Sequence, residues 1–209
     1  FPNLESGVAV SKTKWMWNPC LDTQHENQLQ EYVSSRDGYE QLGNWSDIKS
    51  GDDLIIAGHG SDTDPDKLAG TDQTNNVHYE VDYNWLADAV ANGVNNPNLA
   101  FQIKLYMCNA AHRSTNASGD KASFGGQFFS ALKAKGYKKV KVAAYHGEIY
   151  WAQGLKHKVV CTKKVNPNTL TTKDKVKGFG ILFVKKSGYG AARHRREWFT
   201  NNPLGTRWL

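Results

Sequence analysis

A chain of 209 residues, 39% of them hydrophobic, has the material for one compact domain with a sizeable core. Its longest apolar runs fall far short of the ~18 residues that suggest a membrane span, and no signal-peptide pattern opens it. Three cysteines, Cys20, Cys108 and Cys161, are too few and too scattered for a disulfide framework, and none stands in a CxxC pair or a Cys/His quartet of zinc spacing. The expectation is a reduced, metal-free protein. The net charge of +6 conceals an asymmetry: residues 1–120 carry 7 Lys and Arg against 17 Asp and Glu, a net of −10, and residues 121–209 carry 19 against 3, a net of +16. Such a split predicts an acidic and a basic face on one domain, or a basic C-terminal portion that meets a polyanion; lysines solvated on hairpins are the bland alternative. Beginning on Phe1 rather than Met, the chain reads as a fragment or processed product.

In chain order, "GVAVSKTKWMWN" alternates as a strand does, and "LDTQHENQLQEYVSSRDG" reads as a helix that starts near Asp22 and stops before Gly38. "DDLIIAG" has the length and flanks of a buried parallel strand. The acidic, turn-rich "SDTDPDKLAGTD", Ser61 to Asp72, reads as a surface loop. "VDYNWLADAVANGV" is an amphipathic helix, "AFQIKLYMC" the next strand, and "SFGGQFFSALKAKG" a helix with a serine cap and a terminal Gly136. "YKKVKVAAYHG" returns as a strand. This order predicts an α/β fold, a mostly parallel sheet with helices on both faces. After Gly147, "EIYWAQGLKHKVVCTKKV" and "KGFGILFVKK" read as strands without intervening helices. The expected organisation is therefore a single domain over 1–209, with a core of about 1–147, a basic β-flap and closing strand at 148–186, and a basic aromatic tail at 187–209.

In an open parallel sheet, chemistry gathers at the carboxyl ends of the strands. His59 and Cys108 each stand just past the last apolar residue of a predicted strand, 49 residues apart (108 − 59), which leaves room for one helix and loops between neighbouring strands. Imidazole and thiol then share one edge, where the imidazole serves as base or stabilising cation for a thiolate nucleophile. Glycines on both sides of His59 allow close approach of a substrate backbone, and exposed amides there and at Cys108 can face an oxyanion. Among the other histidines, His25 is expected on a helix surface, His78 and His112 in loops, and His157 and His194 among basic or flap residues; His146, which also ends a strand, is the understudy. Cys20 and Cys161 are expected to be inert. A lone cysteine or histidine in such a place is usually structural; the pairing at equivalent strand ends is what favours catalysis.

The blocks "LIIAGHGS" and "IKLYMCNAA" resemble those of the caspase-like cysteine peptidases, in which one apolar strand ends in His-Gly and a second in the catalytic cysteine. Within that clan the chain looks most similar to the self-cleaving cysteine peptidase domains of large bacterial toxins, over about residues 50–165. The resemblance implies thiol proteolysis of its own parent chain or of target proteins, with Cys108 as nucleophile, His59 as its proton-handling partner, and the amides of Gly60 and Cys108 as oxyanion donors. It implies secretion or delivery into a target cell and action in a reducing cytosol. Some relatives orient the histidine with an acid from the first-strand region; Asp22 is the one acid near that position. Met107 stands where many relatives carry a small residue, which can crowd the specificity pocket.

No cofactor is needed for such chemistry, but the toxin domains are activated by inositol hexakisphosphate held on lysines of the flap and first strand. The matching positions here are Lys12 and Lys14 on one side of the first strand, Lys156, Lys158, Lys163 and Lys164 in the flap, and Lys185 and Lys186 at the end of the closing strand. The alternative is a catalytically silent caspase-like module that binds a polyanion or a protein. A nucleic-acid-binding role, suggested by the basic half and by Trp198, Phe199 and Trp208, ranks last because no RNP, KH, helix-turn-helix or zinc-finger pattern is present.

Overall fold

A computed structural model describes residues 12–60, 64, 66–115, 119, 121–150, 159–161, 189–191 and 196–201. The elements run β1 (Lys14–Trp17), α1 (Thr23–Ser35), β2 (Tyr39–Gln41), β3 (Asp53–Ala57), β4 (His59–Gly60), β5 (Lys67–Asp72), β6 (Val77–Asp82), α2 (Tyr83–Val94), β7 (Gln102–Tyr106), β8 (Ser114–Thr115), β9 (Lys121–Ala122), α3 (Phe124–Ala134) and β10 (Lys141–Tyr145). β11 (Glu148–Tyr150), β12 (Val159–Cys161), β13 (Tyr189–Ala191) and β14 (Arg196–Phe199) follow. Six strands form the main sheet in the order β14-β10-β7-β3-β1-β2, parallel throughout except for β14.

Alternation along β3 divides the core. Leu54 and Ile56 face α2 and α3, packing with Leu86, Val90, Phe128 and Leu132, while Ile55 and Ala57 face α1, packing with Leu29 and Tyr32. Helices therefore cover both faces of the sheet, as the order of elements predicts. Each helix is capped by a side chain the sequence offers: Asp22 accepts from the His25 amide, Asp82 from Trp85 and Ser123 from Gly126. At the start of β3, buried Asp52 accepts from the amides of Thr13 and Lys49 and from Trp15 Nε1, tying β1 to β3.

Two segments depart from expectation. Half of the presumed loop at 61–72 is strand β5, which forms an antiparallel sheet with β4 and β6 and puts His78 on a strand. The signal lies in the alternation of "KLAGTD" and "VHYEVD" about a polar turn. The basic tail contributes β14, whose Phe199 and Trp198 pair with Val142 and Ala143 and close the sheet edge. After β10, strands β11, β12 and β13 pair antiparallel as a flap should. The expected closing strand at 177–186 lies outside the described residues, as does the first strand before Lys12.

Candidate active site

β3 and β7 run in register from Asp53 opposite Gln102 to Ala57 opposite Tyr106. His59 and Cys108 each stand two residues past that last pair, on the carboxyl edge. The Gly58 amide extends the contact to Tyr106 O at 3.3 Å, after which β4 turns aside to pair with β5. A Cβ on Gly60 would lie 2.2 Å from Cys108 O and 2.7 Å from Met107 Cε, so only glycine lets the two backbones meet. Met107 itself is buried in the core, with its Cε against Gly60.

Cys108 occupies a tight turn pinned from the β10 side. Asn109, at φ +57°, donates its amide to Gly147 O at 2.8 Å, and Ala111 donates to Tyr145 O at 3.0 Å. The thiol is partly exposed and accepts from the Ile149 amide at 3.4 Å, a donor that complements negative charge on sulfur. Cys20 is a different case: buried, close to Asp22 and Glu80, its thiol is pushed up to about 12.

The residue that sequence reasoning undervalued is Asp22. Its carboxylate is buried at the start of α1, and its Oδ2 lies 3.3 Å from His59 Nε2. Oδ2 also accepts from the Thr71 amide on β5 at 2.9 Å, while Oδ1 accepts from the His25 amide at 2.9 Å and lies 2.7 Å from His25 Nδ1. Burial alone would raise this carboxyl, but the amides of Thr71 and His25 and the His25 ring outweigh it and hold it below the usual carboxylate range. Asp22 is thus a fixed negative charge behind His59, whose side chain is 50% exposed. Gly70 makes room for it, since a Cβ there would lie 2.7 Å from both Asp22 Cβ and Cys20 Cβ.

His25, expected on a helix surface, is buried instead, because its ring turns back onto Asp22 and packs edge-on against His59 at 4.5 Å between centroids. Burial, with His59 adding to it, pushes the His25 imidazole below its ordinary range against the pull of Asp22. His146 stays at its strand end, with Nε2 3.0 Å from Glu197 Oε2; buried Glu197 also accepts from Arg113 at 3.2 Å. Of the lysines singled out for a polyanion, Lys12 is ion-paired with buried Asp53 at 2.6 Å and Lys14 sits over the Tyr39 ring. Lys156, Lys158, Lys163, Lys164, Lys185 and Lys186 lie outside the described residues. No family model matches the chain, and no curated protein is significantly similar to it.

Proposed function

We propose that the protein is a cysteine endopeptidase of caspase-like architecture in which Cys108 is the nucleophile, His59 the proton carrier and Asp22 a positioning residue. The observation that carries this reading is the meeting of three features at one sheet edge: a partly exposed thiol, a half-exposed imidazole at the equivalent position past the neighbouring strand, where the Gly60 and Cys108 backbones meet, and a buried carboxylate fixed behind that imidazole. With Nε2 turned to Asp22, the other ring nitrogen of His59 takes the thiol proton as sulfur attacks the substrate carbonyl. The tetrahedral oxyanion is received by the amides of Gly60 and Cys108. Its collapse breaks the C–N bond, and the imidazolium gives its proton to the departing amine. Water then enters, loses a proton to His59 and releases the acyl group, restoring the thiol.

The same reading makes the protein a toxin or effector domain that cleaves its parent chain or a target protein in a reducing cytosol. The net of +16 over residues 121–209 supports a small polyanion such as inositol hexakisphosphate as activator. Lys12 shares the Asp53 carboxylate with Lys104, so this trio keeps a net positive charge. The test is proteolysis of a peptide library and of the longer parent chain, with and without inositol hexakisphosphate, in wild type and Cys108→Ala. Loss of cleavage in the variant is expected. Full cleavage by Cys108→Ala would sink the peptidase reading, and a silent binding module would show no cleavage by either protein.

A further inference from the structure

Asp22, His25 and His59 do more than form a relay: each offers a ligand atom, and these atoms lie within 4.8 Å of one another. Two imidazoles and one carboxylate make a donor set suited to a borderline-soft divalent cation, Zn2+ above all, which takes nitrogen and oxygen ligands at about 2.0–2.2 Å. The cysteine spacing gives no hint of such a site. It is assembled from Asp22 and His25, three residues apart at the start of α1, and from His59 beyond β3.

Two features fit the cluster for a cation. Asp22 is fixed before any ion arrives, by the amides of His25 and Thr71, so a ligand oxygen needs little reorganisation. His59 is half exposed, which gives solvent a route in and lets its ring turn the short distance that coordination requires. Water from that open side would complete a tetrahedral shell.

We infer that this triad is a Zn2+ site whose occupancy switches the enzyme off: coordination through the Asp22-facing Nε2 of His59 leaves the ring proton on Nδ1, the nitrogen that would otherwise accept the Cys108 proton. The binding part stands on the three donors alone; the inhibitory part rests on the reading of His59 as the peptidase base. Coordination releases to solvent the second proton of either imidazole that is charged, leaves each ring one N–H on its uncoordinated nitrogen, and forms no bond to sulfur.

The experiment is calorimetric titration of the full chain with Zn2+ at neutral pH, beside absorption of the Co2+ form, in wild type, Cys108→Ala, His59→Ala and Asp22→Asn. Labelling of Cys108 by a thiol-reactive peptide probe is followed with and without Zn2+. One saturable site is expected, kept in Cys108→Ala and weakened by ~100-fold in His59→Ala and Asp22→Asn, at the upper end of the loss seen on removing even an outer-shell partner. His59 is exposed enough that its removal leaves the fold intact, which circular dichroism checks. The Co2+ form is expected to lack a thiolate charge-transfer band. Absence of saturable binding, binding retained in His59→Ala, or binding lost in Cys108→Ala would overturn the site. Zn2+ bound at the triad with unchanged labelling of Cys108 would overturn the inhibition. His59-independent labelling of Cys108 in metal-free protein would instead count against the peptidase reading and leave the binding result standing.

Discussion

Two imidazole–carboxylate pairs flank the Cys108 turn, and they are built differently. On the β3 side, Asp22 spends its hydrogen-bonding capacity on two backbone amides and two imidazoles, with no lysine or arginine among its described partners. On the β10 side, Glu197 accepts from His146 and also from Arg113. Its carboxyl is held below the usual range chiefly by the His146 hydrogen bond, with Arg113 adding to it. A proton arriving on His59 therefore meets a carboxylate with no competing full-time cation, whereas one on His146 meets a charge that Arg113 already balances. His59 is also 50% exposed against 22% for His146. On the proposed reading the contrast fits the first pair for carrying a proton, while the second ties β14 to the end of β10.

The largest effect that divides the two sides is on turnover. His59→Ala is expected to lower kcat/KM for peptide hydrolysis by ~1000-fold or more, and His146→Ala by less than about 10-fold. Equal losses would erase the distinction. Next comes Asp22→Asn, which keeps the shape and removes the charge. A loss of about 10–100-fold is expected, falling on kcat with KM changed less than about 3-fold; a change confined to KM would make Asp22 part of substrate binding rather than a positioning residue.

Gly70→Ala sharpens the comparison through packing alone. The new methyl meets Asp22 Cβ and Cys20 Cβ at 2.7 Å, and crowding of this kind costs about 1–3 kcal/mol, read as a lower urea midpoint at unchanged m-value. Wild-type stability with wild-type activity would show that Asp22 is not held as tightly as this contact requires.

The smallest effect is on stability against pH. The folded protein depresses the His25 imidazole, so as pH falls below about 6.5 the unfolded chain binds a proton that the folded chain resists, and stability drops. Asp22 is depressed too, so its contribution is present above about 3.9 and is lost as pH falls further. Urea midpoints at pH 7.5 and 5.5 should decline in wild type and decline less in His25→Asn. A steeper decline in the variant would contradict a buried, neutral His25.

How much of this was legible in the sequence follows from which interactions are local. The apolar runs ending on Gly-His-Gly and on Met-Cys mark strand ends, and the parallel register of β3 and β7 then puts His59 and Cys108 each two residues past the last paired positions. Asp22 is visible as a helix cap, but its carboxylate reaches His59 only because β5 brings the Thr71 amide across 49 positions in sequence. That strand was hidden in an acidic segment whose composition reads as loop. His25 shows the same limit: a polar residue in the first turn of a polar helix looks exposed until the position of β4 is known. In "REWF" the basic neighbourhood masked an alternation that pairs with β10.

The measurement that bears most directly on the central claim is labelling of the native protein by a peptide-based alkylating probe, followed by mass spectrometry of the modified peptide, in wild type and His59→Ala. Labelling is expected at Cys108, with Cys20 silent because its thiol is buried and pushed up to about 12, and the rate at Cys108 should fall sharply when His59 is removed. Labelling of Cys108 at the same rate in both proteins, or labelling confined to another cysteine, would contradict the His59–Cys108 peptidase.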